Sequence, residues 1–128
     1  MNKVILLLVA MINLASAADF TKESLLVEIA KMKEFLLDDT KTVQFFKTYI
    51  NPAQLKEAGK NDSDIVAMAE EFNGNDKKPI IINVLSNVDP STLIVDDEKK
   101  IISAPTKISG GRPIIFQFVD GHWYFSNK

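Results

Sequence analysis

Asp120 and His122 flank one glycine near the C-terminal end, and His122 is the single histidine of the chain. An imidazole beside a carboxylate can serve as a general base when both face a pocket. Asp120-Gly121, however, is a favoured two-residue type I′ hairpin turn, which puts Asp120 at the tip and His122 at the start of the returning strand. That context favours an exposed turn carboxylate and a strand-edge imidazole over a catalytic dyad. One histidine and no cysteine make a poor zinc or copper ligand set, so such a site is not expected. Asp96-Asp97-Glu98 and Asp62-Ser63-Asp64 gather oxygens, but neither has the Asp-x-Asp-x-Asp-Gly spacing of a calcium loop. They read as a solvated turn and a helix start. None of the seven serines from Ser24 to Ser126 lies in a Gly-x-Ser-x-Gly elbow. Gly110-Gly111-Arg112 lacks the strand–loop–helix context and the Lys-Ser/Thr of a phosphate-binding loop, so it reads as an entry to the strand at Pro113, with Arg112 in solvent. Tyr49, Asn83 and Asp38 remain as donors or acids by chemistry alone. These patterns assign no catalytic residue, no metal and no cofactor.

Compartment is better marked than chemistry. Lys3 precedes an apolar run of eleven residues, Val4 to Leu14, broken only by Asn13, and Ala15-Ser16-Ala17 follows as a small-x-small site. This is the pattern of a secretory signal peptide. The run is too short to span a bilayer as a helix, so cleavage after Ala17 and no stable membrane anchor are expected. The reading divides the chain into a signal peptide, 1–17, and one domain, 18–128. Loss of Lys3 with the leader leaves 14 basic and 17 acidic residues, a net charge of −3. The charges are interspersed, and no basic stripe is present to neutralise phosphates, so nucleic-acid binding is disfavoured. Small secreted eukaryotic domains lean on disulfides; an exported, cysteine-free chain fits a bacterial periplasm better. Absence of cysteine also excludes a lipobox. Asn61-Asp62-Ser63 matches a glycosylation sequon, which matters only in a eukaryotic host. The expected location is periplasmic or secreted.

Helical signals come first. Thr21 can cap a helix over about 22–38, with Phe20 and Leu25 placed as a hydrophobic staple and Leu25, Ile29, Met32 and Leu36 on one stripe. Asp39-Thr40 offers a second cap, before Val43, Phe46 and Ile50, with Phe45 and Tyr49 beside them. Asn51-Pro52 starts a short helix that Gly59 stops. Asn61 or Asp62 caps another over about 63–72, closed by Asn73-Gly74. After Pro79 the pattern reads as alternating. Ile80, Ile82, Val84 and Val88 would line one face of a strand, and Ile81, Asn83, Leu85 and Asn87 the other. Thr92 to Val95 and Lys100 to Ser103 flank a charged turn, 96–99. The terminal hairpin pairs Val119 with His122, Phe118 with Trp123, Gln117 with Tyr124 and Phe116 with Phe125. One face then gathers Ile114, Phe116, Phe118, Trp123 and Phe125, which must be buried. The other gathers Ile115, Gln117, Val119, His122 and Tyr124, which can stay partly wet. A one-residue slip would exchange them.

The order of a long helix, shorter helices and a strand meander ending in Phe-Val-Asp-Gly-His-Trp-Tyr-Phe resembles the nuclear-transport-factor-2-like superfamily. Phe118, Asp120, Gly121, Trp123 and Tyr124 match the ending of many small exported bacterial members. The resemblance implies an α+β fold in which N-terminal helices pack on a curved, mainly antiparallel sheet ending in a C-terminal β-hairpin. The break at Asp89-Pro90 and the long loop from Ala104 to Gly111 depart from the pattern. The superfamily hosts isomerases, dehydratases, cyclases and non-catalytic modules, so fold cannot stand in for function. Isomerase-like members carry an inward acid and inward donors in an apolar cavity. Here the inward hairpin positions are apolar, with Trp123 the single donor, which lowers the enzyme reading.

Two readings follow, both non-catalytic. A cone mouth lined by Phe46, Tyr49, Phe116, Phe118 and Trp123 would hold a small apolar ligand, unless these aromatics simply fill the core. Alternatively, Ile115, Val119 and Tyr124, joined by Ile81 and Leu85 if that strand is adjacent, would form a protein-interaction or homodimer surface, unless the Ala104–Gly111 loop covers it. An enzyme acting on a small apolar substrate is the weakest alternative.

Overall fold

The computed structural model describes residues 18–106 and 112–126; the expected signal peptide and residues 107–111 of the long loop lie outside them. Five α-helices precede a four-stranded antiparallel sheet, an α+β arrangement. Helix α1 spans Lys22–Leu37, α2 Thr42–Tyr49, α3 Pro52–Glu57, α4 Asp62–Asn73 and α5 Lys77–Ser86. Strands β1 (Ile94–Asp96), β2 (Ile101–Ala104), β3 (Ile114–Val119) and β4 (His122–Ser126) lie side by side in chain order. No helix among the described residues is long and apolar enough to cross a membrane.

Local chemistry sets most boundaries. The Thr21 side chain accepts from the Ser24 amide at the start of α1, and Leu25, Ile29, Met32 and Leu36 form its buried stripe. Asn51 accepts from the Ala53 amide, Pro52 takes the first helical position, and Gly59 adopts a φ of 69° where α3 ends. Asn61 and Asp64 make a reciprocal capping box on α4. In α2 the buried face is Thr42, Phe45 and Tyr49, while Val43, Phe46 and Ile50 are half-buried beside it.

The segment expected as a strand after Pro79 is instead helix α5. Its β-branched run, Ile80-Ile81-Ile82-Asn83-Val84, favours strand locally. Tertiary packing overrides that preference. Lys78, Ile81, Ile82 and Leu85 recur at positions 0, +3, +4 and +7, so a helix turns all four toward α1 and the core. Pro79 is tolerated because it sits in the first turn, where its missing N–H has no helical partner to lose. Ile81 and Leu85 therefore do not adjoin the outer sheet face as a strand would; Leu85 is buried in the core.

The hairpin has the expected register: Val119 faces His122, Phe118 faces Trp123, Gln117 faces Tyr124 and Phe116 faces Phe125. Asp120 and Gly121 have φ values of 50° and 80°, the pair of left-handed residues a type I′ turn requires. Ile102, Ala104, Ile114, Phe116 and Trp123 face the helices and join the core. The opposite face carries Ile94, Ile101, Ile115, Gln117, Val119 and Tyr124. A parallel bridge from Ile50 to Phe125 ties the end of α2 to the β4 edge.

Candidate functional site

The aromatic residues expected at a cone mouth are placed in and against the core. Phe116, Trp123 and Tyr49 are 0%, 2% and 4% exposed. Phe118 packs on Trp123 with ring centroids 5.0 Å apart, Phe116 on Phe125 at 5.1 Å, and Tyr49 on Phe45 at 5.6 Å. Their rings are spent on one another, as a small domain's largest side chains must be to build a core. Phe46 is half-buried against Phe72, with ring centroids 5.5 Å apart, and borders a groove. Ile115, Val119 and Tyr124 are half-buried on the helix-free sheet face, where Tyr124 lies 6.4 Å from the exposed His122 ring. Asp120 and His122 are both exposed at the hairpin tip, the positions expected of a turn carboxylate and a strand-edge imidazole.

An apolar groove opens elsewhere, between the N-terminal half of α5 and the β3–β4 hairpin. One segment, of about 440 Å³, is lined by Ile81, Arg112, Pro113, Ile114, Ile115, Phe125 and Ser126. A second, of about 420 Å³, shares Ile81 and Arg112 and continues over Ile80, Phe72 and Lys77. A third, of about 200 Å³, shares Phe72 and Lys77 and ends at Phe46 and Met68. The three segments adjoin through these shared walls, a row of depressions from the sheet to α4 that is called the trough below. The two larger segments are lined mainly by aliphatic and aromatic side chains, with Arg112 and Lys77 at their sides, and the third adds Glu71 and Asn75. Arg112 is exposed, as sequence reasoning had it, but its place beside this groove was missed; of the lining residues only Phe46, Ile81 and Ile115 had been named as candidates. The contributing residues are scattered from 46 to 126, and the trough exists only once Ile80 and Ile81 sit on a helix.

The second polar feature is a buried cluster. Lys78 is 5% exposed. Its ammonium donates to Asp39 Oδ1 at 2.6 Å, Asn73 Oδ1 at 2.6 Å and Thr42 Oγ1 at 3.1 Å. These use all three of its protons. Thr42 Oγ1 donates to Asn73 Oδ1 at 2.6 Å, and Asn73 Nδ2 donates to the Asp39 carbonyl at 3.1 Å. The cluster joins α2, α4 and α5 to the turn at Asp39, and it forms one wall of a depression of about 430 Å³ with Leu36, Ile82 and Asn83. With its donors satisfied, Lys78 acts as a cross-link rather than as a free nucleophile. A lysine one turn before Ile81 and Ile82 on a helical stripe is the signal that could have revealed it.

Electrostatic perturbation is confined to structural groups. Burial pushes the Tyr49 phenol well above its ordinary range. The hydrogen bond it donates to Glu28 Oε2 at 2.9 Å, and that carboxylate's charge, act in the same direction. The Thr40 hydroxyl and amide hold Asp38 below the usual carboxylate value, and Ser91 does the same for Asp89. Both are cap residues, Asp38 half-buried and Asp89 exposed. Among the described residues, no three His, Asp or Glu side chains gather as they would around a metal ion. No family model, curated protein or solved structure matches the chain.

Proposed function

We propose that the protein is a small exported, non-catalytic binding domain that holds an elongated apolar ligand in the trough between α5 and the β3–β4 hairpin. The observation that carries this reading is the adjacency of two apolar-lined segments, of about 440 and 420 Å³, both walled by Ile81 and Arg112. Each is within the volume range of small-molecule sites, about 300–1,000 Å³, and predominantly apolar lining with a few polar groups is the usual chemistry of such sites. The export signal read in the sequence and the resemblance of the terminal hairpin to exported nuclear-transport-factor-2-like modules support the same picture. Native mass spectrometry of protein recovered from the exported fraction tests for a co-purifying ligand. Titration with a fluorescent apolar probe then locates the site. Ile81→Glu is expected to weaken probe binding at least tenfold while Tyr124→Glu leaves it unchanged. Equal binding by parent and Ile81→Glu overturns the assignment.

A second reading rests on a separate observation. Helices cover one face of the sheet only, and the open face carries Ile94, Ile101, Ile115, Val119 and Tyr124. Ile94 is 62% exposed. This face suits a homodimer or protein partner. A mass that rises with concentration in the parent, and stays monomeric in Tyr124→Glu, would favour it.

A further inference from the structure

Ala18, the residue that follows the expected cleavage site, is tied directly to the C-terminal hairpin. Its backbone nitrogen donates to the Gly121 carbonyl at 2.9 Å. Phe20 lies stacked on Trp123 with ring centroids 5.6 Å apart and tilted on Phe118 at 5.7 Å. The Lys100 ammonium sits over the Phe20 ring, 4.8 Å from its centroid. Ser24 closes the loop: its hydroxyl donates to the Asp19 carbonyl and accepts from the Trp123 indole at 2.9 Å. Both Ala18 and Phe20 pack against the core. Four residues outside any helix or strand therefore connect the start of α1 to the tip of β3–β4, about a hundred residues later in the chain.

We propose that Ala18–Thr21 is a clasp on the hairpin, and that signal removal completes it by converting the Ala18 amide nitrogen into an ammonium aimed at the Gly121 carbonyl. The inference rests on the export reading above. A signal peptidase hydrolyses the Ala17–Ala18 bond: water gives its hydroxyl to the Ala17 carbonyl carbon and a proton to the Ala18 nitrogen, which takes a further proton from solvent at neutral pH. The donor at 2.9 Å from Gly121 thereby changes from neutral to charged without moving. Hydrogen bonds with an ionised partner are roughly twice as strong as neutral ones, so the processed chain holds its hairpin more tightly than the precursor. Processing and tertiary closure become one event, and the tight state belongs to the protein only after export.

The test compares the chain starting at Ala18 with the same chain N-acetylated at Ala18, made by co-expression with an N-terminal acetyltransferase. Acetylation restores a neutral amide N–H at that position, as in the precursor, and leaves every side chain in place. Hydrogen exchange of the hairpin amides flanking Gly121 is expected to be about five-fold faster in the acetylated chain, while exchange in α4 is unchanged. The intact mass of exported protein is measured in parallel. An exported chain that starts at a residue other than Ala18 overturns both the cleavage reading and the clasp. A start at Ala18 with equal hairpin exchange in the two forms overturns the clasp and leaves export standing.

Discussion

Replacing Lys78 by methionine keeps an unbranched apolar stem and removes the ammonium, so it measures what the buried cluster contributes. Three donated hydrogen bonds are lost, to Asp39, Asn73 and Thr42. Hydrogen bonds to charged groups contribute about 1.5–3 kcal/mol each, but here the terms cannot simply be added. The Asp39 side chain is 75% exposed and regains water when its partner leaves. Thr42 and Asn73 remain bonded to each other. The expected loss for Lys78→Met is therefore about 2 kcal/mol, the scale of one charged hydrogen bond rather than three. Asn73→Ala is worse, because it withdraws an acceptor from an ammonium that stays buried and also frees the Asp39 carbonyl. A hydrogen bond to a charged group contributes about 1.5–3 kcal/mol, and the expected loss lies near the upper end because the ammonium stays buried. Asp39→Ala removes the one carboxylate bonded to the buried ammonium and should cost about 3 kcal/mol, because the neutral Thr42 and Asn73 oxygens that remain do not balance its charge. Urea unfolding followed through the fluorescence of Trp123, the sole tryptophan, measures all three, with an unchanged denaturant slope as the check on two-state behaviour. The double variant Lys78→Met/Asn73→Leu should cost at least about 1 kcal/mol less than the sum of its singles, since both delete the same contact. A Lys78→Met variant within about 0.5 kcal/mol of the parent would refute the reasoning, as would Asp39→Ala costing less than about 1 kcal/mol.

Two further outcomes follow from the same packing. Tyr49 is an acid whose folded pKa lies above its unfolded value, so its neutral form stabilises the fold below the unfolded pKa of about 10, and that stability is lost as pH rises toward the folded value. Over that alkaline window the parent should lose stability with pH by up to about 1.4 kcal/mol per unit more than Tyr49→Phe, measured as the difference between their unfolding curves. Leu85→Ala should cost about 2–4 kcal/mol and Ile80→Ala well under 1 kcal/mol, because the helix buries Leu85 and leaves Ile80 partly in water. Thermal unfolding of the two variants checks this, and the opposite order would restore the strand reading of residues 80–88.

The features legible in the sequence are those whose chemistry acts over two to four residues. Thr21, Asn51 and Asn61 satisfy amides of the helix they begin, so each start can be read from neighbouring letters. Asp120-Gly121 supplies the backbone conformation of a type I′ turn, and that turn alone sets the register of β3 and β4 and the face to which each aromatic points. The order of helices and then a meander led to the α+β class for the same reason. What tertiary structure decided depends on partners far along the chain. Residues 80–84 carry strand-like side chains, yet they fold as helix because only that period delivers Lys78 to Asp39, Thr42 and Asn73 while Ile81, Ile82 and Leu85 meet the core. Of the aromatics proposed as a pocket lining, Tyr49, Phe116 and Trp123 became core, because rings meet one another across α2, β3 and β4. The trough took shape from what that packing left open, between Ile81 on a helix and Ile115 and Phe125 on strands. A local turn or cap is a property of adjacent residues, whereas a groove is the space between elements, and its walls are fixed only when those elements meet.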